Sequence, residues 1–108
     1  MSAPTPRPHR SGFKTTRALR AAAAAARVPL REARASNSNG GGQARQIACA
    51  LLHESNPDAP IRALAERAGC HPTTAGKAVS KHYAMLVIDR EYAAAFRLAQ
   101  SLFSGRAA

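Results

Sequence analysis

The chain has no tryptophan, two tyrosines, three phenylalanines, two cysteines and six acidic residues in 108 positions. Each shortage excludes something. Cys49 and Cys70 are too few for a disulfide scaffold, so a reducing, cytoplasmic interior is the expected compartment. No stretch approaches the roughly 18 consecutive apolar residues of a transmembrane span. No secretory signal is expected either, since the first residues are followed by no apolar run of that kind. At 108 residues there is room for one small domain and a tail, which excludes a large multi-domain enzyme. The six acids are scattered, and no serine or cysteine nucleophile has a recognisable partner spacing, so catalysis is not expected.

Alanine and arginine dominate instead, with 26 and 13 residues, and the formal charge is +10. The charge is uneven. Residues 1–45 hold nine cations against Glu32 alone, a net +8; residues 46–108 hold seven against five, a net +2. A basic arm before a near-balanced half implies a polyanionic partner, nucleic acid before membrane. Phe13 is the lone aromatic near that arm, which argues against single-strand stacking.

Residues 1–12 carry Pro4, Pro6 and Pro8 without apolar periodicity and read as extended chain. Thr15–Val28 contains six consecutive alanines, which have the best intrinsic helix propensity, with Thr15 or Thr16 as cap and Pro29 as stop. Were the turn to resume through Arg34, then Arg17, Arg20, Arg27, Arg31 and Arg34 would share one face. Such a helix is either a solvated Ala/Arg segment or a phosphate-contacting arm that orders on DNA. Ser36–Gly42 reads as a flexible linker, so the boundary falls between an arm, 1–42, and a domain, 43–104.

Three helical segments follow the linker. Gln43–Ser55 puts Ile47, Ala48, Leu51 and Leu52 on one face and ends at Asn56-Pro57. Pro60–Ala68 carries an apolar stripe of Ile61, Leu64, Ala65 and Ala68, with Gly69 in the left-handed position past its end. Pro72–His82 turns Ala75, Ala78, Val79 and His82 inward. Its other face, Thr73, Thr74, Gly76, Lys77, Ser80 and Lys81, has no acid.

Two short helices joined by a tight glycine turn, the second with a basic polar face, form the helix-turn-helix pattern. The stretch IRALAERAGCHPTTAGKAVSK, with NPDAP before it, resembles the DNA-reading unit of bacterial helix-turn-helix proteins of the lactose-repressor and plasmid-partition kind, over residues 47–82. The resemblance implies close helix crossing at Ala65, a turn at Gly69 and buried positions at Leu64, Ala68, Cys70, Ala75 and Ala78. It also implies groove-facing positions at His71, Pro72, Thr73, Gly76, Lys77 and Ser80. Lys77 is placed to reach a base edge or a phosphate, Lys81 and the arm's arginines phosphates, and Thr73 or Thr74 a thymine methyl or a phosphate. Departures from the pattern are His71 where Ser or Thr usually caps the reading helix, the small Ala75 and Ala78, and the mid-helix Gly76. No Arg, Asn or Gln on that helix offers a bidentate base contact, so discrimination would rest on a dimer and on DNA shape.

Beyond Tyr83, Leu86-Val87-Ile88 could start a winged strand, but no Gly, Asn or Pro lies between Met85 and Ser104 to turn a hairpin. A helix from Asp89 to Ser104 reads better, capped by Asp89, with Tyr92, Ala95, Phe96, Ala99, Leu102 and Phe103 on one face and Gly105 past its end. That face packs on the core or pairs two copies. Cys49 with His53, and Cys70 with His71, lack the spaced pairs of a zinc site, so no metal or other cofactor is expected. Ala75-Gly76-Lys77 fails as a phosphate-binding loop, because His71 and Ala78 stand where Gly and Ser or Thr are needed.

The expected protein is therefore all-α, a tri-helical helix-turn-helix domain with an additional C-terminal helix and a basic, flexible N-terminal arm. It would bind double-stranded DNA sequence-specifically as a small bacterial regulator or a plasmid- or phage-maintenance factor. A nucleoid location, a homodimer through helix 89–104 and no small-molecule ligand go with that reading. The alternatives are a protein adaptor docking through helix 89–104 and a general nucleic-acid coat.

Overall fold

The computed structural model describes residues 13–35 and 39–105; the Pro-rich stretch 1–12 and positions 36–38 of the expected linker lie outside the described residues. All the regular structure described is helical: α1 (Arg17–Ala26), α2 (Leu30–Arg34), α3 (Asn39–Ser55), α4 (Ile61–Ala68), α5 (Pro72–Ile88) and α6 (Arg90–Ser104).

The hub is α3, which packs against each of the other five helices. Ile47, Ala48, Cys49, Ala50, Leu51 and Leu52 are buried in succession, and a helix apolar all round must be enclosed on all sides. It also begins earlier than expected, so positions 39–42 of the expected linker belong to its first turn.

The largest departure from expectation concerns the Ala-rich segment. It is no solvated arm. Ala18, Leu19, Ala21, Ala22, Ala23 and Ala25 are buried, and α1 packs against α3 and α6. Alanine serves here twice, by helix propensity and by a small side chain that lets neighbouring backbones approach. Thr16 caps α1 by accepting the Leu19 N–H at 3.0 Å. The helix stops at Arg27, which adopts a left-handed backbone (φ 60°), two residues before Pro29. This break turns the chain into the five-residue α2, so the five arginines from Arg17 to Arg34 do not share one helical face.

Phe13 is buried as well, rather than standing exposed as a lone aromatic beside the arm. Its N–H bonds to the Arg34 carbonyl at 3.2 Å, and its own carbonyl accepts the Arg34 Nε–H at 3.1 Å. Residues 13–35 thus close over the rest of the chain.

The C-terminal half follows expectation closely. Asp89 caps α6 by accepting the Tyr92 N–H at 3.0 Å, Tyr92, Phe96 and Ala99 are buried, and Gly105 (φ 79°) ends the helix. No strand occurs among the described residues, and Leu86-Val87-Ile88 belong to α5, which runs six residues beyond its expected end at His82. The β-branched pair there looks like a strand in isolation, but helical continuity prevails because nothing breaks the ladder before Asp89.

Candidate nucleic-acid interface

Three residues, Gly69 to His71, join α4 to α5. Gly69 has φ 83°, and a Cβ there would stand 2.8 Å from the Lys14 backbone nitrogen and 2.6 Å from Lys14 Cγ. The glycine therefore meets two demands, a left-handed backbone and the close passage of residues 13–16. The Lys14 N–H donates to the Ala68 carbonyl at 2.9 Å, so the N-terminal segment is hydrogen-bonded to the end of α4. Pro72 occupies the first turn of α5, and His71 Nδ1 accepts the Thr73 N–H at 3.0 Å. The imidazole thus does the capping usually done by a hydroxyl.

On α5, Ala75 and His82 are buried and Ala78 and Val79 half-buried, as the inward register predicts. Thr73, Thr74, Lys77, Ser80 and Lys81 are exposed, His71 is exposed beside them, and Pro72 and Gly76 are half-buried. Among the described residues nothing lies within 4 Å of where a Gly76 Cβ would sit, so their packing does not call for glycine at this position. The helix carries no acidic residue along its 17 positions.

Polar contacts hold α5 in place from behind. His82 is fully buried; its Nδ1 shares a 2.6 Å hydrogen bond with Tyr92 Oη, which accepts from Gln46 Nε2 at 3.0 Å, linking α5, α6 and α3. Burial pushes the Tyr92 phenol up to about 12, which keeps it a donor, and burial lowers the His82 ring from its ordinary value. Among the described residues His82 Nε2 has no hydrogen-bond partner. The rings of Tyr83 and Phe96 meet the imidazole edge-on at 4.8 and 4.3 Å between centroids.

The arginines of the expected phosphate-contacting arm divide. Arg20, Arg27 and Arg31 are exposed. Arg17 donates to the Phe103 carbonyl near the end of α6 and lies 5.1 Å from the Phe103 ring centroid. Arg34 holds Phe13, and Arg45 donates to the Ala33 carbonyl at 3.1 Å and to that of Ala35. Arg17, Arg34 and Arg45 therefore cap carbonyls within the fold.

Two cations near the start of α5 had no part in the sequence expectation. Lys14 is exposed and seated on the Gly69 turn. Arg62, exposed in the first turn of α4, lines a groove of about 540 Å³ with Pro60, Ile61 and Pro72. Pro60 caps α4 without a side-chain hydrogen bond, and no acid occupies that first turn. A helix N-terminus with free amides and an adjacent guanidinium suits a phosphate group. Arg62 carries a local signal, directly after Pro60 and Ile61; the place of Lys14 depends on a contact across 54 residues and has none.

The two cysteines also differ from expectation: Cys49 is the fully buried one and Cys70 is half-buried. The neighbouring Cys70 thiol and burial together push the Cys49 thiol up, leaving it a neutral core residue. Among the described residues no helix is long and apolar enough to cross a membrane. Compared with protein-family models, curated proteins and solved structures, the chain matches none.

Proposed function

We propose that the chain is a sequence-specific, double-stranded-DNA-binding protein in which α3, α4 and α5 act as a helix-turn-helix unit and α5 enters the major groove. A single observation carries the reading: the first half of α5 presents Thr73, Thr74, Lys77, Ser80 and Lys81 to solvent on a helix without acids, while His82 and Ala75 fasten its back. Lys77 contacts a base edge or a phosphate, Lys81, Lys14 and Arg62 contact phosphates, and Thr73 or Thr74 meets a thymine methyl or a phosphate. Arg20, Arg27 and Arg31 add long-range attraction for the polyanion. The biological setting that fits is a small bacterial regulator or a plasmid- or phage-maintenance factor, associated with the nucleoid and acting as a homodimer.

Selection from a random duplex library at about 150 mM salt tests this, because non-specific binding is weak there. Recovery of a motif, lost when Lys77 and Lys81 are both replaced by Glu, is the expected result. DNA retained without any motif would instead indicate a general coat. No retention would refute the DNA reading and favour a protein adaptor.

A further inference from the structure

The two cysteines stand 21 positions apart, and the chain has no others. They meet across the fold at unequal depth. Cys49 lies in α3 and is fully buried, one of six consecutive enclosed residues of the hub helix. Cys70 lies in the three-residue turn between α4 and α5, half-buried and packed against the core cluster that contains Cys49. Its backbone is fixed, because the Gly69 and Cys70 N–H groups both donate to the Ala65 carbonyl, at 2.8 and 3.0 Å. The two thiols are neighbours, the inner one sealed from solvent and the outer one open to it.

We infer that Cys70 is an oxidation site and Cys49 its resolving partner, so that hydrogen peroxide closes a disulfide between the α4–α5 turn and α3. The outer sulfur reacts first, because it alone is within reach of solvent. The neighbouring Cys49 thiol holds Cys70 below its ordinary value, against the opposing effect of burial, which raises the share of nucleophilic thiolate. That thiolate attacks one peroxide oxygen and the O–O bond breaks. The hydroxide released takes up the proton that Cys70 gave up, and Cys70 is left as a sulfenic acid. The Cys49 sulfur then attacks the Cys70 sulfur and the S–O bond breaks. The departing hydroxide takes the Cys49 proton and leaves as a second water. Two thiols have lost two electrons to one peroxide, which has become two waters. The closed loop encloses the whole of α4 and ties the turn before α5 to the hub. Nothing in this chemistry depends on what α5 binds.

The test exposes the reduced, full chain to hydrogen peroxide at neutral pH and reads its intact mass without reductant. Expected are the loss of two hydrogens per chain, a tryptic peptide pair joined through Cys49 and Cys70, and reversal by dithiothreitol. The oxidised chain should keep its far-UV circular dichroism and melt about 10 °C higher, as closing a loop of about 20 residues in the unfolded chain implies. Cys70→Ala should leave Cys49 unreactive, and Cys49→Ala should stop Cys70 at the sulfenic acid, which dimedone traps. Peroxide treatment that yields no internal bond, or dimers linked through Cys70 in its place, overturns the inference. So does a bond that forms only once urea has unfolded the chain. A melting temperature lowered by the bond overturns it as well, since the fold would then have to distort to join the sulfurs.

Discussion

Replacing Gly69 by alanine tests how the N-terminal segment is joined to the α4–α5 turn. Two costs are separable there. A side-chain-bearing residue at φ 83° costs about 1–2 kcal/mol. The new Cβ would also meet the Lys14 backbone nitrogen at 2.8 Å, which cannot rotate away as Lys14 Cγ can. Moving that nitrogen breaks the 2.9 Å bond to the Ala68 carbonyl, at about 1 kcal/mol. The expected loss is about 2–3 kcal/mol, and more if Phe13 leaves its site. For a domain of this size that lowers the melting temperature by roughly 10–20 °C. Thermal and urea denaturation followed by far-UV circular dichroism would measure it. Gly69→Asn relieves part of the backbone cost but keeps the clash, so it should recover less than half of the loss. Gly76→Ala is the control, with open space around its Cβ, and should stabilise by about 0.5–1 kcal/mol. A loss below about 1 kcal/mol at Gly69, or full recovery by asparagine, would refute the contact with Lys14 as a term in stability.

Three further outcomes follow from the same packing. Burial lowers the His82 pKa, helped by His53 and opposed by Glu54, so as pH falls through about 6.5 the unfolded chain takes up this proton first. Stability should therefore decline with acidification in that window, by up to about 1.4 kcal/mol per pH unit, and His82→Gln should flatten the difference between urea midpoints at pH 7.5 and 5.5; an unchanged slope would count against a neutral buried ring. Deleting residues 1–35 removes Phe13 and the six buried residues of α1, so cooperative unfolding should vanish, whereas a folded truncated chain would show that α1 is dispensable. In salt titrations of DNA binding, Arg62→Ala should reduce the log–log slope by about 0.9, one phosphate contact. Arg17→Ala should leave it unchanged, because Arg17 is held at the Phe103 carbonyl, and the opposite pattern would mislocate the interface.

Elements with strong local punctuation were readable from the sequence. Asp89 and Gly105 bracket α6, Gly69 ends α4 and Pro72 opens α5 near where the spacing predicts. The inward register of α5 was equally plain, because Ala75, Val79 and His82 repeat at helical intervals. Alanine carries no such pattern. In α1 one face is core and the other bears Arg17, Arg20 and Ala24, yet an alanine run looks alike on every side, so propensity was visible and burial was not. The His82–Tyr92–Gln46 chain and the seat of Lys14 are contacts between distant positions, set by how helices cross. No periodicity encodes them.

The burial of α1 changes which charges the proposed interface can use. Nine cations in residues 1–45 suggest a mobile electrostatic arm, but Arg17, Arg34 and Arg45 each satisfy helix-end or loop carbonyls of the fold. A guanidinium so placed, with a ring of Phe103 or Phe13 beneath Arg17 and Arg45, is a structural part of the core's rim, and moving it onto a phosphate would give up these contacts. In the proposed interface, contacts therefore fall to side chains with no such duty in the fold, Lys14 at the turn, Arg62 at the start of α4, and Lys77 and Lys81 on α5, with the exposed Arg20, Arg27 and Arg31 adding longer-range charge. On the proposed reading, the close passage of residue 14 over Gly69 serves binding as well as structure. It holds one cation against the turn before α5, so a loss of stability at that glycine would be accompanied by weaker binding of a polyanion through the same backbone contact.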